Sequence, residues 1–281
     1  MAVWPKAIVT WQTRGVGYMS VPFTWLLPEA RRRLTQRDLF ARRWRVGGPA
    51  VVLMPDYLAG IDGVTVGGDL RGVLQRVNPL ATRTTVGCPN SCPFCAIGRG
   101  KIEGGEFREL ADWPDLPIVC DNNLTSASPE HFERVIGKLR RWPNPDFNQG
   151  LDARLIEPWH AELLATLDRP IVRLALDGDG EREQWSVAVD RLLSAGLAKR
   201  FIRSYVMCGY LDTPPEAWAR CEFVESHGVK ALPQWFHRLD ELVGNAITED
   251  QRGLGWTRDG RNRIMGWYYQ HRGINPAREA R

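Results

Sequence analysis

The 281-residue sequence has no apolar run approaching the roughly 18 residues of a membrane span. Its opening stretch, MAVWPKAIVTW, lacks a cleavable signal pattern. A soluble chain with no membrane association is therefore expected. Cysteine is sparse: there are six, and three of them sit in one short run, which does not make a disulfide framework and points to a reducing cytoplasm. No histidine precedes His131, and His131, His160, His227, His237 and His271 show no ligand spacing. Nothing in the composition suggests disorder. With 43% hydrophobic and 25% charged residues, the chain is long enough for one large α/β domain, alone or with a short appendage.

What is present is concentrated in the run TRTTVGCPNSCPFCAIG, where Cys88, Cys92 and Cys95 have Cys-x3-Cys-x2-Cys spacing at the end of an apolar strand. Three thiolates from one loop can hold three irons of a 4Fe-4S cubane and leave the fourth open. Gly87, Pro89, Asn90 and Pro93 supply the turn chemistry for a backbone that wraps closely around an inorganic core. A zinc-binding turn is the competing interpretation. It lacks an evident fourth ligand, because His131 falls within an amphipathic helix pattern and Cys120, Cys208 and Cys221 show no paired spacing.

With Phe94 just before the last cysteine, the motif resembles the signature of the radical S-adenosylmethionine (radical SAM) enzymes. The resemblance implies that Cys88, Cys92 and Cys95 ligate a 4Fe-4S cluster and that Phe94 touches the adenine of S-adenosylmethionine. It also implies reductive cleavage of that cofactor, hydrogen abstraction by a 5′-deoxyadenosyl radical, and an electron donor such as a flavodoxin or ferredoxin. No second paired-cysteine motif is present, so an auxiliary cluster is not expected.

Read for periodicity, the chain after residue 80 shows six short apolar or β-branched runs: 81–87, 116–121, 146–150, 171–177, 200–209 and 229–236. Each is followed by a helix-like pattern, as βα repeats are. Ser128 before Pro129, and Thr213 before Pro214, mark helix starts. Phe132, Val135, Ile136 and Leu139 form one apolar face. Trp185, Val189, Leu192 and Leu193 form another, closed by Gly196, and Ala217, Trp218, Cys221 and Val224 a third, closed by Gly228. The expected fold is α/β, a partial (β/α)6 TIM-like barrel over residues 81–236. An open barrel of six units is also the core fold that the resemblance implies.

Parallel β/α folds carry their working residues at the C-terminal ends of the strands. At the second strand end stand Asp121, Asn122 and Asn123, where the family places groups that bind the cofactor's amino group. Asx-type turn chemistry is the alternative there. The common Gly-Gly-Glu is absent from that position, and the literal copy at Gly104, Gly105 and Glu106 precedes any second strand, which marks it as a loop coincidence. Gln149, Asp152 and Arg154 at the third strand end suit ribose hydroxyls or a carboxylate, with an Asp-Arg pair holding the loop as the other possibility. Asp177 ends the fourth strand before permissive glycines. Gly209, ending the fifth, resembles the family's adenine-contacting turn. Cys120 and Cys208 are candidate hydrogen-atom donors, although a buried free cysteine is more often a small hydrophobe.

Residues 1–80 read as a short α/β cap: a few strands and a basic helix from about Pro28 to Arg45. Arg31, Arg32, Arg33, Arg37, Arg42, Arg43 and Arg45 crowd this stretch, with Asp38 alone against them. The order resembles a shortened Rossmann-like domain of the cobalamin-type radical SAM branch, with Ser20, Gly47 and Gly48 in comparable places. The Asp-x-His-x-x-Gly stretch of that branch is missing, so cobalamin is not expected. Residues 237–281 read as a covering segment in which Trp256, Trp267, Tyr268 and Tyr269 alternate with Arg258, Arg261, Arg263 and Arg272. Such residues can stack on bases, or they can seal the side of an open barrel, which is the favoured role.

The expected function is thus radical SAM chemistry, and the arginine and aromatic segments tilt the substrate towards a nucleic-acid base or nucleotide, with a small metabolite or a peptide as the alternatives. A metal-stabilised nucleic-acid-binding protein and a redox sensor are the alternatives.

Overall fold

The computed structural model describes residues 7–36, 41–67, 70, 72–98, 100–104 and 106–267. They fall into two compact units: the described residues within 7–81, 89–106 and 237–246 in the first, and those within 82–88, 107–236 and 247–267 in the second.

In the first unit, β1 (Val9–Thr13) and β2 (Val16–Ser20) form an antiparallel hairpin. Arg14 (φ 50°) and Gly15 (φ 77°) both occupy the left-handed region, as a two-residue hairpin turn matched to strand twist requires. There follow α1 (Leu27–Thr35), β3 (Arg43–Gly47), α2 (Pro49–Leu53), β4 (Val64–Val66) and α3 (Val73–Val77). The sheet order is β1-β2-β3-β4, and both the β2–β3 and β3–β4 pairs are parallel. Leu27, Ala30 and Leu34 of α1 join Met19, Trp44, Val46 and Leu58 in a core belonging to this unit. Residues 237–246 attach through Thr24, whose hydroxyl donates to Glu241 O at 2.6 Å, and through the Trp25–His237 ring contact.

The basic helix expected to reach Arg45 ends instead at Thr35. Arg43 and Arg45 are exposed while Trp44 and Val46 are buried, a period of two that makes a strand of these residues. The arginines are therefore divided between a helix and a strand. Arg33 pairs with Glu29, and Arg31 donates to Tyr57 O. Arg37 and Asp38 lie outside the described residues.

The second unit contains a strand in every one of the six expected runs. Its elements begin with β5 (Ala81–Thr82, at the unit boundary), β6 (Thr85–Val86), β7 (Arg108–Glu109), β8 (Ile118–Val119) and α4 (Pro129–Leu139). They continue with β9 (Asp146–Phe147), α5 (Pro158–Ala165), β10 (Val172–Leu176), α6 (Arg182–Ser194) and β11 (Ile202–Cys208). The last are α7 (Pro214–Ser226), β12 (Lys230–Trp235), α8 (Glu249–Gly253) and α9 (Arg258–Met265).

From β8 to β12, strand and helix alternate strictly. The first repeat departs from expectation: among the described residues no α-helix separates β6 from β8, and β7 pairs antiparallel with β6 instead. The sheets β5-β8-β9 and β10-β11-β12 are linked by parallel bridges Asp146↔Ile171 and Leu151↔Leu174. The architecture is mixed α/β with parallel sheets, and no closed barrel forms among the described residues.

The helix signals act locally as their chemistry dictates. Ser128 Oγ caps α4 by accepting from His131 N at 3.3 Å, and Thr213 with Glu216 forms a capping box on α7. Gly196 (φ 98°) and Gly228 (φ 73°) end α6 and α7. Phe132, Val135, Ile136, Leu139, Trp185, Val189, Leu192, Ala217, Cys221 and Val224 are buried in one core on the helix side of the sheet.

Trp256 and Trp267 lie in that core too, the first donating through Nε1 to Asp212 O at 2.7 Å and the second edge-on to Trp218. They are packing residues and not free to stack on bases. Tyr268, Tyr269, His271 and Arg272 lie outside the described residues, as does Gly105. Among the described residues, no helix is long and apolar enough to cross a membrane.

Candidate functional site

The cysteine run starts where β6 stops. Gly87 adopts φ 79°, a conformation glycine takes without strain, and Cys88 follows. Cys88 belongs to the second unit, whereas Cys92 and Cys95 belong to the 89–106 segment of the first. Within that segment the backbone turns tightly: Cys95 N donates to Cys92 O at 3.1 Å, and Lys101 N to Ala96 O at 3.1 Å. A Cβ at Gly98 would lie 2.0 Å from Asn90 O, so only glycine fits this fold-back. All three cysteines are half-buried and take part in no disulfide. As a donor set they suit an iron-sulfur cluster, being three thiols on one glycine- and proline-rich turn. Among the described residues no group of three or more His, Cys, Asp or Glu side chains is gathered as a ligand sphere.

On the second unit's side, Cys88 begins a chain of polar contacts. Asn123 is buried and lies just beyond β8. Its amide donates to Cys88 Sγ at 3.6 Å and to Asp152 Oδ2 at 3.4 Å, while its Oδ1 accepts from Thr125 Oγ1 at 2.8 Å. Thr125 Oγ1 in turn accepts from Asp152 N at 3.1 Å. Arg154 clamps Asp152 through Nε and Nη2, both at 2.8 Å, and reaches Glu181 Oε1 at 3.3 Å. Glu181 Oε2 accepts from the backbone N of Asp177 at 3.1 Å. Cys88, Asn123, Asp152, Arg154 and Asp177 are thus brought together along the C-terminal ends of successive strands.

Burial, with Glu181 and Asp152 nearby, pushes the Asp177 carboxyl up to about 6; Arg154 and Arg220 oppose that rise. A carboxyl tuned this way changes charge near neutrality, and such perturbed groups concentrate at working sites.

Other candidates are placed differently. Asp121 is buried, and its carboxylate accepts from Thr84 N at 2.6 Å, Thr85 N at 3.0 Å and the Thr84 hydroxyl. It ties the end of β8 to the loop between β5 and β6, so its oxygens are already engaged. Burial raises its pKa. Asn122 Oδ1 accepts from Arg83 at 3.2 Å. Gln149 is exposed and takes no part in the polar chain among the described residues. Gly209 (φ 80°) is held by Asp212, which accepts its N–H at 2.6 Å, and by Gln251, which donates to its carbonyl at 2.7 Å. Phe94 is half-buried in the cysteine segment. Cys120 and Cys208 are both buried. Burial, with Asp121 adding to it, pushes the Cys120 thiol up to about 12, and contact with Cys221 together with burial raises Cys208. Both therefore sit as neutral packing thiols.

Sequence reasoning missed Thr84, Thr125, Glu181 and the role of His131. His131 Nε2 lies 3.2 Å from Thr84 Oγ1, behind Asp121, and burial lowers its pKa. Only the strand-end position of Thr84 and Thr125 hinted at such work. No protein-family profile, curated protein or solved structure matches the chain.

Proposed function

We propose that the protein is a radical SAM enzyme built on a partial (β/α)6 barrel. The observation that carries this proposal is the Cys-x3-Cys-x2-Cys run placed at the end of β6, with the Cys88 sulfur receiving an N–H from Asn123 beyond β8. The strand-helix alternation from β8 to β12 agrees with it, as does the polar chain along the strand ends.

In this function Cys88, Cys92 and Cys95 hold a 4Fe-4S cluster. When bound with S-adenosylmethionine, it supplies one-electron cleavage of the cofactor and hydrogen abstraction from substrate. Asn123 orients the Cys88 sulfur. Asp152, Arg154 and Asp177 offer carboxylate, guanidinium and proton-bearing groups to the cofactor's polar ends, and Phe94 offers a ring to its adenine. A flavodoxin or ferredoxin serves as electron donor.

The test is anaerobic reconstitution with iron and sulfide, reduction by dithionite with S-adenosylmethionine, and assay for 5′-deoxyadenosine beside a Cys92→Ala control. Product from the parent and none from the variant is expected. Tightly held zinc with no iron uptake and no product would overturn the proposal in favour of a metal-stabilised binding protein.

A further inference from the structure

One rung of the first unit's sheet brings together Trp11, Tyr18, Arg45 and Thr65, one residue from each of its four strands. Trp11 and Tyr18 stack across β1 and β2, with ring centroids 5.3 Å apart and planes 7° from parallel. Arg76 of α3 holds its guanidinium carbon 4.8 Å from the centroid of the Trp11 ring. Arg43, two residues before Arg45 on β3, leaves the sheet on the same face. The alternate residues Met19, Trp44, Val46 and Val64 pack on the opposite face, in the core shared with α1 and α2. Trp11 and Tyr18 are half-buried while Arg43, Arg45 and Arg76 are exposed, so the rung meets solvent.

Acids across neighbouring strands would stabilise the arginines of such a face. Here the cross-strand neighbours of Arg43 and Arg45 are Val16, Tyr18 and Thr65. Neither the four strands nor α3 carries an Asp or Glu. Asp62, in the loop before β4, has a contact of its own. Among the described residues, none of Arg43, Arg45 and Arg76 makes an ion pair. The face therefore joins aromatic surface to positive charge that the sheet leaves unmatched.

We infer that this sheet face is a binding surface for single-stranded nucleic acid. Unpaired bases stack on the Trp11–Tyr18 pair, while the guanidinium groups of Arg43, Arg45 and Arg76 meet the phosphates. A duplex keeps its bases stacked inside and offers its phosphates alone. An acidic polypeptide offers carboxylates without bases. Aromatic rings and cations on one rung favour the single strand over both. The surface stands on strand register and ring geometry, independently of the cysteine chemistry.

The experiment is a fluorescence-anisotropy titration of the full chain with a labelled single-stranded RNA of about twelve nucleotides, repeated over a series of salt concentrations. Unlabelled single strand, a duplex of the same sequence and polyglutamate are run as competitors, and the parent is compared with Arg43→Gln/Arg45→Gln and Tyr18→Ala. The parent should bind saturably, and the unlabelled single strand should compete better than the duplex or polyglutamate. The arginine variant should weaken binding about tenfold or more and flatten the slope of log affinity against log salt by about 1.4, for two lost phosphate contacts. Tyr18→Ala should weaken binding about fivefold or more with the salt slope unchanged. Should Tyr18→Ala fail to fold, the arginine variant, changed only at exposed positions, carries the test. Absence of saturable binding, or binding unchanged in a folded variant, would overturn the inference. Equal competition by the duplex would overturn it in favour of plain phosphate attraction, and equal competition by polyglutamate in favour of an acidic protein partner.

Discussion

Asn123 points one amide N–H at the sulfur of Cys88, 3.6 Å away, and shares the same nitrogen with Asp152 at 3.4 Å. One side chain therefore couples the start of the cysteine run to the Asp152-Arg154 clamp on the neighbouring strand end. Hydrogen bonds to a ligating sulfur raise a cluster's reduction potential.

Asn123→Ala should therefore shift the reduction potential of the reconstituted protein to a more negative value. One net hydrogen bond of about 1 kcal/mol corresponds to roughly 40 mV for a one-electron couple. Spectroscopic redox titration reads the shift. An unchanged potential with full iron content would show that Asn123 does not act on the sulfur.

Asp121 separates two roles that its position alone does not. Its carboxylate satisfies two backbone N–H groups and a hydroxyl from Thr84 and Thr85. Asp121→Ala should leave those donors buried without an acceptor, costing about 2–5 kcal/mol by urea denaturation. Asp121→Asn, which keeps one acceptor oxygen, should lose less. Neither folded variant should change affinity for S-adenosylmethionine. A specific loss of that affinity with stability intact would return Asp121 to the cofactor site.

Asp177 gives a pH signature. Burial and Glu181 raise its carboxyl from 3.8 to about 6, so the folded chain holds this proton more tightly than the unfolded chain does. Stability from this group is fully present below about pH 4 and falls as pH rises through 6, by up to roughly 3 kcal/mol. Asp177→Asn should thus raise the thermal midpoint at pH 7.5, and the gain should vanish near pH 4. An equal effect at both pH values would show that the proton is not held.

What could be read from the sequence was local. Ser128-Pro129, Thr213-Pro214, Gly196 and Gly228 each act on backbone groups a few residues away, and the structure places them as helix starts and stops. The strand runs announced themselves by apolar density in the same way. Arg43-Trp44-Arg45-Val46 also carried a local signal, its period of two, which the surrounding arginines obscured. Asp121 is different. Its partners lie 36 and 37 positions away in sequence, and no short-range pattern distinguishes a carboxylate that braces two strands from one that awaits a ligand. The same holds for Glu181, whose contact with Arg154 spans 27 positions.

Gly209 illustrates a residue identity enforced by a distant ring. It adopts φ 80°, and a Cβ there would sit 2.6 Å from the Trp235 indole. Gly209→Ala should lose stability through both strain at positive φ and the steric clash, together about 2–4 kcal/mol. Trp235→Leu clears the clash at the cost of buried contacts, so Gly209→Ala introduced into that background should cost only the φ term, about 1 kcal/mol. A double-mutant cycle by urea denaturation measures the coupling directly. Additive losses would mean that Trp235 moves aside and that backbone conformation alone demands glycine. Strong coupling would show that the turn after β11 is held shut by the ring, leaving Asp212 and Gln251 to hold the turn's N–H and carbonyl.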